Sequence, residues 1–107
     1  MPYYAYMLKC SDGSYYTSST SNLALRLAEH QAGIPEKSYT SSRLPVELVW
    51  SSEFATHDEA FWAEHQIKGW SRSKKEALIR GDWDGIRRAI QQQKDKRSMQ
   101  NKKIQAP

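Results

Sequence analysis

At 107 residues the chain has material for one domain with one modest core. It holds no run of about 18 apolar residues, which excludes a membrane-spanning helix, and it opens on a strand pattern where a signal peptide would carry a basic and then an apolar region. The formal charge is +4 and the single Cys10 excludes an intramolecular disulfide, so a reducing, cytoplasmic setting is expected.

The first elements are two tyrosine-rich runs in Tyr3 to Thr20, YYAYMLKCSDGSYYTSST, flanking the turn signal Ser11-Asp12-Gly13. This is a β-hairpin pattern. Asp-Gly alone suggests a two-residue loop. A three-residue loop with Gly13 left-handed is the alternative, and the two registers send side chains to opposite faces. The three-residue loop pairs Leu8 with Tyr16 and Tyr6 with Ser18, which puts Tyr6 and Tyr16 on one face; this is the register expected here. Tyrosines are also good strand formers on a half-buried sheet, and that accounts for some of them.

Thr20-Ser21-Asn22 offers N-cap residues for a helix from Asn22 to Ala32, closed by Gly33. Leu23 and Leu27 form its apolar stripe. Arg26 and His30, four apart, share another face. The segment from Ile34 to Arg43 reads as a polar, basic loop. Lys37 and Arg43 suit phosphate, Tyr39 suits base stacking, and a plain connection fits as well. Pro45 to Phe54 is a third strand in which Val46, Leu48 and Trp50 alternate with Glu47, Val49 and Ser51. Thr56 and Glu59 make a capping box for a helix to Gly69 or Trp70, with Ala60, Ala63 and Ile67 as its buried stripe. Glu64 sits beside that stripe, where a carboxylate is costly unless paired or bound to a cation. A salt bridge to Lys68 satisfies it equally well.

Ser73 and Glu76 form a second capping box for a short helix ending at Gly81. Arg72, Lys74 and Lys75 cluster at its start, where positive charge opposes the helix dipole and a phosphate would relieve it. Trp83 to Lys94 reads as a last helix. From Lys94 to the end, five basic residues face one acid, so this segment carries the whole net charge. The expected organisation is a folded domain over 1–93 and a basic, disordered tail over 94–107.

Taken together, these positions resemble the GIY-YIG nuclease domain. Tyr4-Ala5-Tyr6 stands for the first half-motif, Tyr16-Thr17-Ser18 for the second, then Arg26, then His30 four later, then Glu64 in AEHQIK. The resemblance covers Pro2 to Leu78. It is nearest to the short, single-domain bacterial branch, in which phrases similar to CSDGSYYT, RLPVELV and QIKGWSRSKKEAL recur. The half-motifs alone are weak signals; five positions in order on these elements are a strong one. The implied fold is α+β, a small three-stranded antiparallel sheet flanked by helices, and the element order read from the residues agrees. The chain departs from the pattern at Tyr4 and at Ser18, each standing where the motif has Gly.

The resemblance implies a divalent-metal-dependent DNA endonuclease in DNA repair or DNA processing, using Mg²⁺ or Mn²⁺. Phosphodiester hydrolysis needs a deprotonated water, neutralised charge on phosphorus and a stabilised leaving oxygen. Glu64 would ligate the metal. Arg26 would donate to the non-bridging oxygens, and Tyr6 would deprotonate the water with positive charge favouring its phenolate. Tyr16 would hydrogen-bond phosphate or water, and His30 would hold Tyr6 or carry the proton onward. Lys37, Tyr39, Arg43, Arg72, Lys74 and Lys75 would contact the DNA. The expected partner is DNA, its single-stranded, duplex or branched form left open along with the oligomeric state; neither a membrane nor a small-molecule cofactor is expected. Two other readings stand beside this one. Ser18 could crowd Tyr6 and leave a catalytically impaired nucleic-acid-binding module, or Trp62, Trp70 and Trp83 could serve a protein-interaction domain.

Overall fold

The computed structural model describes residues 2–82 and Asp84. The order is β1 (Tyr3–Lys9), β2 (Tyr15–Thr20), α1 (Leu23–Gln31), β3 (Glu47–Phe54), α2 (His57–Lys68) and α3 (Arg72–Arg80). The strands form one antiparallel sheet with β1 in the centre, in the order β2-β1-β3. This is the α+β architecture expected from the sequence. The last helix from Trp83 and the tail beyond it lie outside the described residues, Asp84 apart. No helix among the described residues is long and apolar enough to cross a membrane. The described chain divides into a first compact unit up to Trp70 and a second that begins at Ser71.

The hairpin takes the three-residue loop. Cys10 N–H donates to the Ser14 carbonyl at 2.9 Å and Gly13 N–H to the Cys10 carbonyl at 3.0 Å, with Gly13 at φ 84°. A side chain at that φ meets its own backbone, so glycine suits it. Asp12 braces the turn, its Oδ1 accepting from Ser14 N–H and Ser14 Oγ. The register that follows sets Tyr6 against Ser18 and Leu8 against Tyr16. Every side chain of β1 and β2 is thereby assigned to a face.

Both faces of β1 are covered, and Ala5, Tyr6, Met7 and Leu8 are all fully buried. On one face Tyr6, Leu8, Cys10 and Val46 form a cluster, against which Tyr16, Leu48 and the Leu23 and Leu27 stripe of α1 pack. On the other, α2 packs against the strands and buries Ala60, Glu64 and Ile67. Burial of each large apolar side chain stabilises the fold by about 1.5–3 kcal/mol.

Three sequence expectations shift in detail. The alternation read for β3 breaks at Val49: Leu48 pairs with Leu8 but Trp50 pairs with Met7, so a bulge sends Leu48 and Trp50 to opposite faces. Glu64 lies within the buried stripe of α2, and Ala63 is the residue at its edge. The N-cap of α3 is Ser71, whose side chain accepts from Lys74 N–H, so the helix starts before Ser73. The caps Asn22, Thr56 and Gly81 fall where the sequence placed them.

Replacing Gly13 with Ala should lower stability by about 1–2 kcal/mol, the cost of a Cβ in the left-handed region. A urea titration measures it, and an unchanged midpoint would show that the turn does not hold this conformation.

Candidate active site

Tyr6, on the central strand, and His30, in the last turn of α1, are both buried, and the Tyr6 hydroxyl lies 2.8 Å from His30 Nε2. The other imidazole nitrogen, Nδ1, lies 2.8 Å from Oγ1 of Thr40, a residue with no exposed surface. Arg26 acts on both rings. One turn before His30 on α1, its charge lowers the pKa of the Tyr6 phenol and that of His30. Ser18 pairs with Tyr6 across the strands and also favours the phenolate.

The resulting electrostatics are opposed. Burial pushes the Tyr6 phenol above its ordinary value, and Tyr16 adds to this, while Ser18 and Arg26 pull it down. Burial, then Arg26, push His30 below its ordinary value, against a smaller pull from Glu29. At neutral pH His30 is therefore a neutral imidazole, able to accept a proton.

Tyr16 closes the cluster from the edge strand. Its ring meets His30 edge-on at 5.3 Å and stacks on Tyr39 at 5.8 Å with an interplanar angle of 16°. The Arg43 guanidinium lies 3.9 Å over the Tyr39 ring. Arg43 also donates from Nε to Asp12 Oδ2 at 3.1 Å and from Nη1 to the Tyr39 carbonyl at 2.7 Å. Its own carbonyl accepts from Ser11 N–H. Tyr39 and Arg43, read from the sequence as nucleic-acid contacts, thus spend these groups fastening the loop onto the hairpin. Lys37 is exposed in the same loop.

Glu64 is only 7% exposed. Its Oε1 accepts from Ser19 Oγ at 3.0 Å, and its Oε2 lies 3.3 Å from Lys68 Nζ and 3.2 Å from His65 Nδ1. Ser19 pairs with Ala5, one step from the pair Ser18 and Tyr6, so it faces the opposite side of the sheet. Glu64 and the Tyr6–His30 pair therefore approach the sheet from opposite faces. Both reach β2, an edge strand, where Ser18 lies opposite Tyr6 and Ser19 bonds Glu64. Thr17, on the Glu64 face of β2, has its Oγ1 buried without a hydrogen-bond partner among the described residues.

In the second unit, Arg72 is exposed and lies 3.8 Å from Glu76, and Lys75 is half-buried. Lys74 is buried, which pushes its ammonium pKa down. Sequence reasoning missed Thr40, Ser19 and Asp12. Thr40 sits among serines in a segment without periodicity, and only the tertiary fold brings its hydroxyl to His30.

A three-stranded sheet with paired tyrosines facing an Arg and a His of the next helix defines a GIY-YIG-type domain, a nuclease fold acting on nucleic acid. The model of the GIY-YIG catalytic domain matches residues 2–77, and the chain belongs to that family. Within it, the chain is 47% identical over 77 residues to a UPF0213 protein of Natronomonas pharaonis, covering 72% of this chain and 89% of that one. Among solved structures it is similar to a UPF0213 protein of Bacillus halodurans, at 36% identity and a TM-score of 0.50, over 80% and 94% of the two chains. It is also similar to a protein of E. faecalis, at 34% identity and a TM-score of 0.53, over 76% and 85%.

The lowered His30 pKa predicts a pH dependence of stability. Between the folded value and the ordinary value of 6.5, the unfolded chain binds a proton that the folded protein refuses. Stability contributed by neutral His30 is thus complete above about pH 6.5 and is lost as pH falls toward the folded value. Melting temperature should drop between about pH 7.5 and 5.5, and the drop should be smaller in His30→Gln. Equal drops in the two proteins would assign the effect to other groups.

Proposed function

We propose that this protein is a divalent-metal-dependent endonuclease that hydrolyses phosphodiester bonds in DNA. The observation that carries this reading is the buried Tyr6–His30 hydrogen bond with Arg26 beside it. A tyrosine buried only for packing needs one hydrogen-bond partner, which His30 supplies, but gains nothing from the guanidinium charge that favours its phenolate. A tyrosine that must act as a base has use for both. Tyr6 releases its proton to His30 Nε2, and Arg26 and Ser18 hold the phenolate. The phenolate oxygen then takes a proton from the attacking water. Arg26 also donates to the non-bridging oxygens as charge grows on phosphorus. Tyr16, packed on His30, supplies a second phenol toward phosphate or water.

The donor set around Glu64 fits a hard cation. The nearly buried carboxylate already pairs with a cation, Lys68, at the oxygen that His65 also approaches, and a hard metal ion would take the place of that ammonium. No group of three or more His, Cys, Asp or Glu side chains that could hold a metal occurs among the described residues, so one carboxylate would serve, with water and phosphate completing the shell of Mg²⁺ or Mn²⁺. When bound, such an ion supplies charge neutralisation and Lewis acidity at the leaving oxygen.

The two half-sites set the substrate path. In this reading a phosphodiester runs along the edge of β2, with Arg26 and the half-buried Tyr16 on one face, Glu64 on the other and the fully buried Tyr6 behind them. Lys37 is the cation we assign to a neighbouring phosphate, and Arg72 and Lys75, in the second unit, are assigned to DNA contacts of their own. Lys74, being buried, is left out, and Tyr39 and Arg43 shape the loop instead. Repair or processing of DNA in the cytoplasm is the setting such an activity suits.

The test is incubation with circular single-stranded and duplex DNA, with Mg²⁺, with Mn²⁺ and with EDTA. Metal-dependent opening of circles is expected, and intact circles under every condition would remove the enzyme reading and leave binding alone. Glu64→Gln, which keeps an acceptor for Ser19, should abolish cleavage while melting near the parent temperature; full activity would take Glu64 out of the site. Ser18 stands opposite Tyr6, and in this reading it supports the phenolate, where the sequence-based expectation is that it crowds the ring. Ser18→Gly should slow cleavage about tenfold, the equivalent of one lost hydrogen bond of about 1.4 kcal/mol. A faster Ser18→Gly enzyme would restore the crowding view.

A further inference from the structure

We propose that Thr40 is a positioning residue that sets the tautomer of His30, placing the ring proton on Nδ1 and so leaving Nε2 open to the Tyr6 proton. The proposal deepens the nuclease reading, but the tautomer can be measured without DNA.

A neutral imidazole carries one N–H, so of its two hydrogen bonds one must donate and the other accept. Both His30 bonds are short and buried: Nε2 to Tyr6 at 2.8 Å and Nδ1 to Thr40 at 2.8 Å. The two ends of the ring decide their sense together. His30 Nε2 is the hydrogen-bond partner of the buried Tyr6 hydroxyl, so an Nε2–H would leave the phenol hydrogen without an acceptor among the described residues. At the other end Thr40 Oγ1 is placed to accept from Nδ1–H. The Tyr6 O–H then points to Nε2, and the ring proton must stand on Nδ1, donating to Thr40 Oγ1. The Thr40 hydrogen in turn has Ser38 Oγ at 3.5 Å. Protons are thus ordered in one direction, Tyr6 to His30 and His30 to Thr40 to Ser38.

When Tyr6 ionises, its O–H bond breaks, Nε2 gains the proton, and the imidazolium keeps its Nδ1–H bond to Thr40. No further acceptor is needed, and Thr40 stays neutral. Thr40 never meets the substrate in this scheme; it acts through His30 alone. Its backbone makes the role rigid, because the Thr40 carbonyl accepts from Arg43 N–H at 3.0 Å, and Arg43 is fastened to Asp12 at the hairpin turn.

The experiment is long-range ¹H–¹⁵N correlation of the imidazoles in the full-length, DNA-free protein near neutral pH. Wild type should show His30 with Nδ1 protonated and Nε2 bare. Thr40→Val, which keeps the shape and removes the hydroxyl, should move His30 to a mixture or to the Nε2–H form, and Thr40→Ser should restore the wild-type pattern. Should Thr40→Val fail to fold, the wild-type and Thr40→Ser spectra still decide the sense of the Tyr6 bond. A wild-type His30 protonated on Nε2 overturns the proposal. So does a folded Thr40→Val whose His30 remains in the Nδ1–H form. In cleavage assays Thr40→Val should lower kcat about tenfold or more with KM little changed; a change confined to KM would make Thr40 a packing residue. Absence of cleavage by wild type would defeat the nuclease reading while leaving the tautomer result standing.

Discussion

The hydrogen bond between Tyr6 and His30 is the constraint on which the rest of the site depends. It joins the central strand to the end of the following helix through the interior, where both partners have surrendered water. A buried phenol or imidazole without a partner would cost about 1–3 kcal/mol, so each residue makes the burial of the other tolerable. The same bond brings two groups of opposed proton affinity together: burial raises Tyr6 and lowers His30. Both shifts keep the resting pair neutral, a phenol against an imidazole.

The loop between α1 and β3 is held by the same economy of partners. Thr40 is tied to His30, Tyr39 to Tyr16, and Arg43 to Asp12, Tyr39 and the backbone of Ser11. A chain of basic and aromatic residues that reads as a nucleic-acid surface is largely consumed in fixing the loop's shape. Arg43 in particular has its guanidinium shared between an ion pair, a carbonyl and a ring face. What it gives the site is the position of Thr40.

The sheet divides the chemistry. Tyr6, Tyr16, Ser18 and His30 belong to one face, and Ser19 and Glu64 to the other. On the edge strand β2, the neighbours Ser18 and Ser19 face the Tyr6 side and the Glu64 side of the sheet. In a wider sheet with β2 internal, the same residues would be walled off from each other by flanking strands. Position 18, where the motif has glycine, carries a serine opposite Tyr6 that favours the phenolate.

Much of this was determined by the sequence by itself. The hairpin and its three-residue loop follow from Asp12-Gly13 and the spacing of tyrosines, because only glycine relaxes at that φ and a strand has a period of two. The helix caps at Asn22, Thr56 and Gly81 follow from local hydrogen-bonding chemistry. Arg26 and His30 fall on one helical face by spacing alone, and the ordered positions from Tyr6 to Glu64 identify the family. Tertiary structure decided what local periodicity does not encode. The bulge at Val49 depends on how β3 lies along β1, and it reversed the face of Trp50. The burial of Glu64 depends on how α2 rolls onto the sheet. The roles of Thr40, Ser19, Tyr39 and Arg43 depend on which side chains a loop meets after the chain has closed, and those partners lie up to 45 residues away.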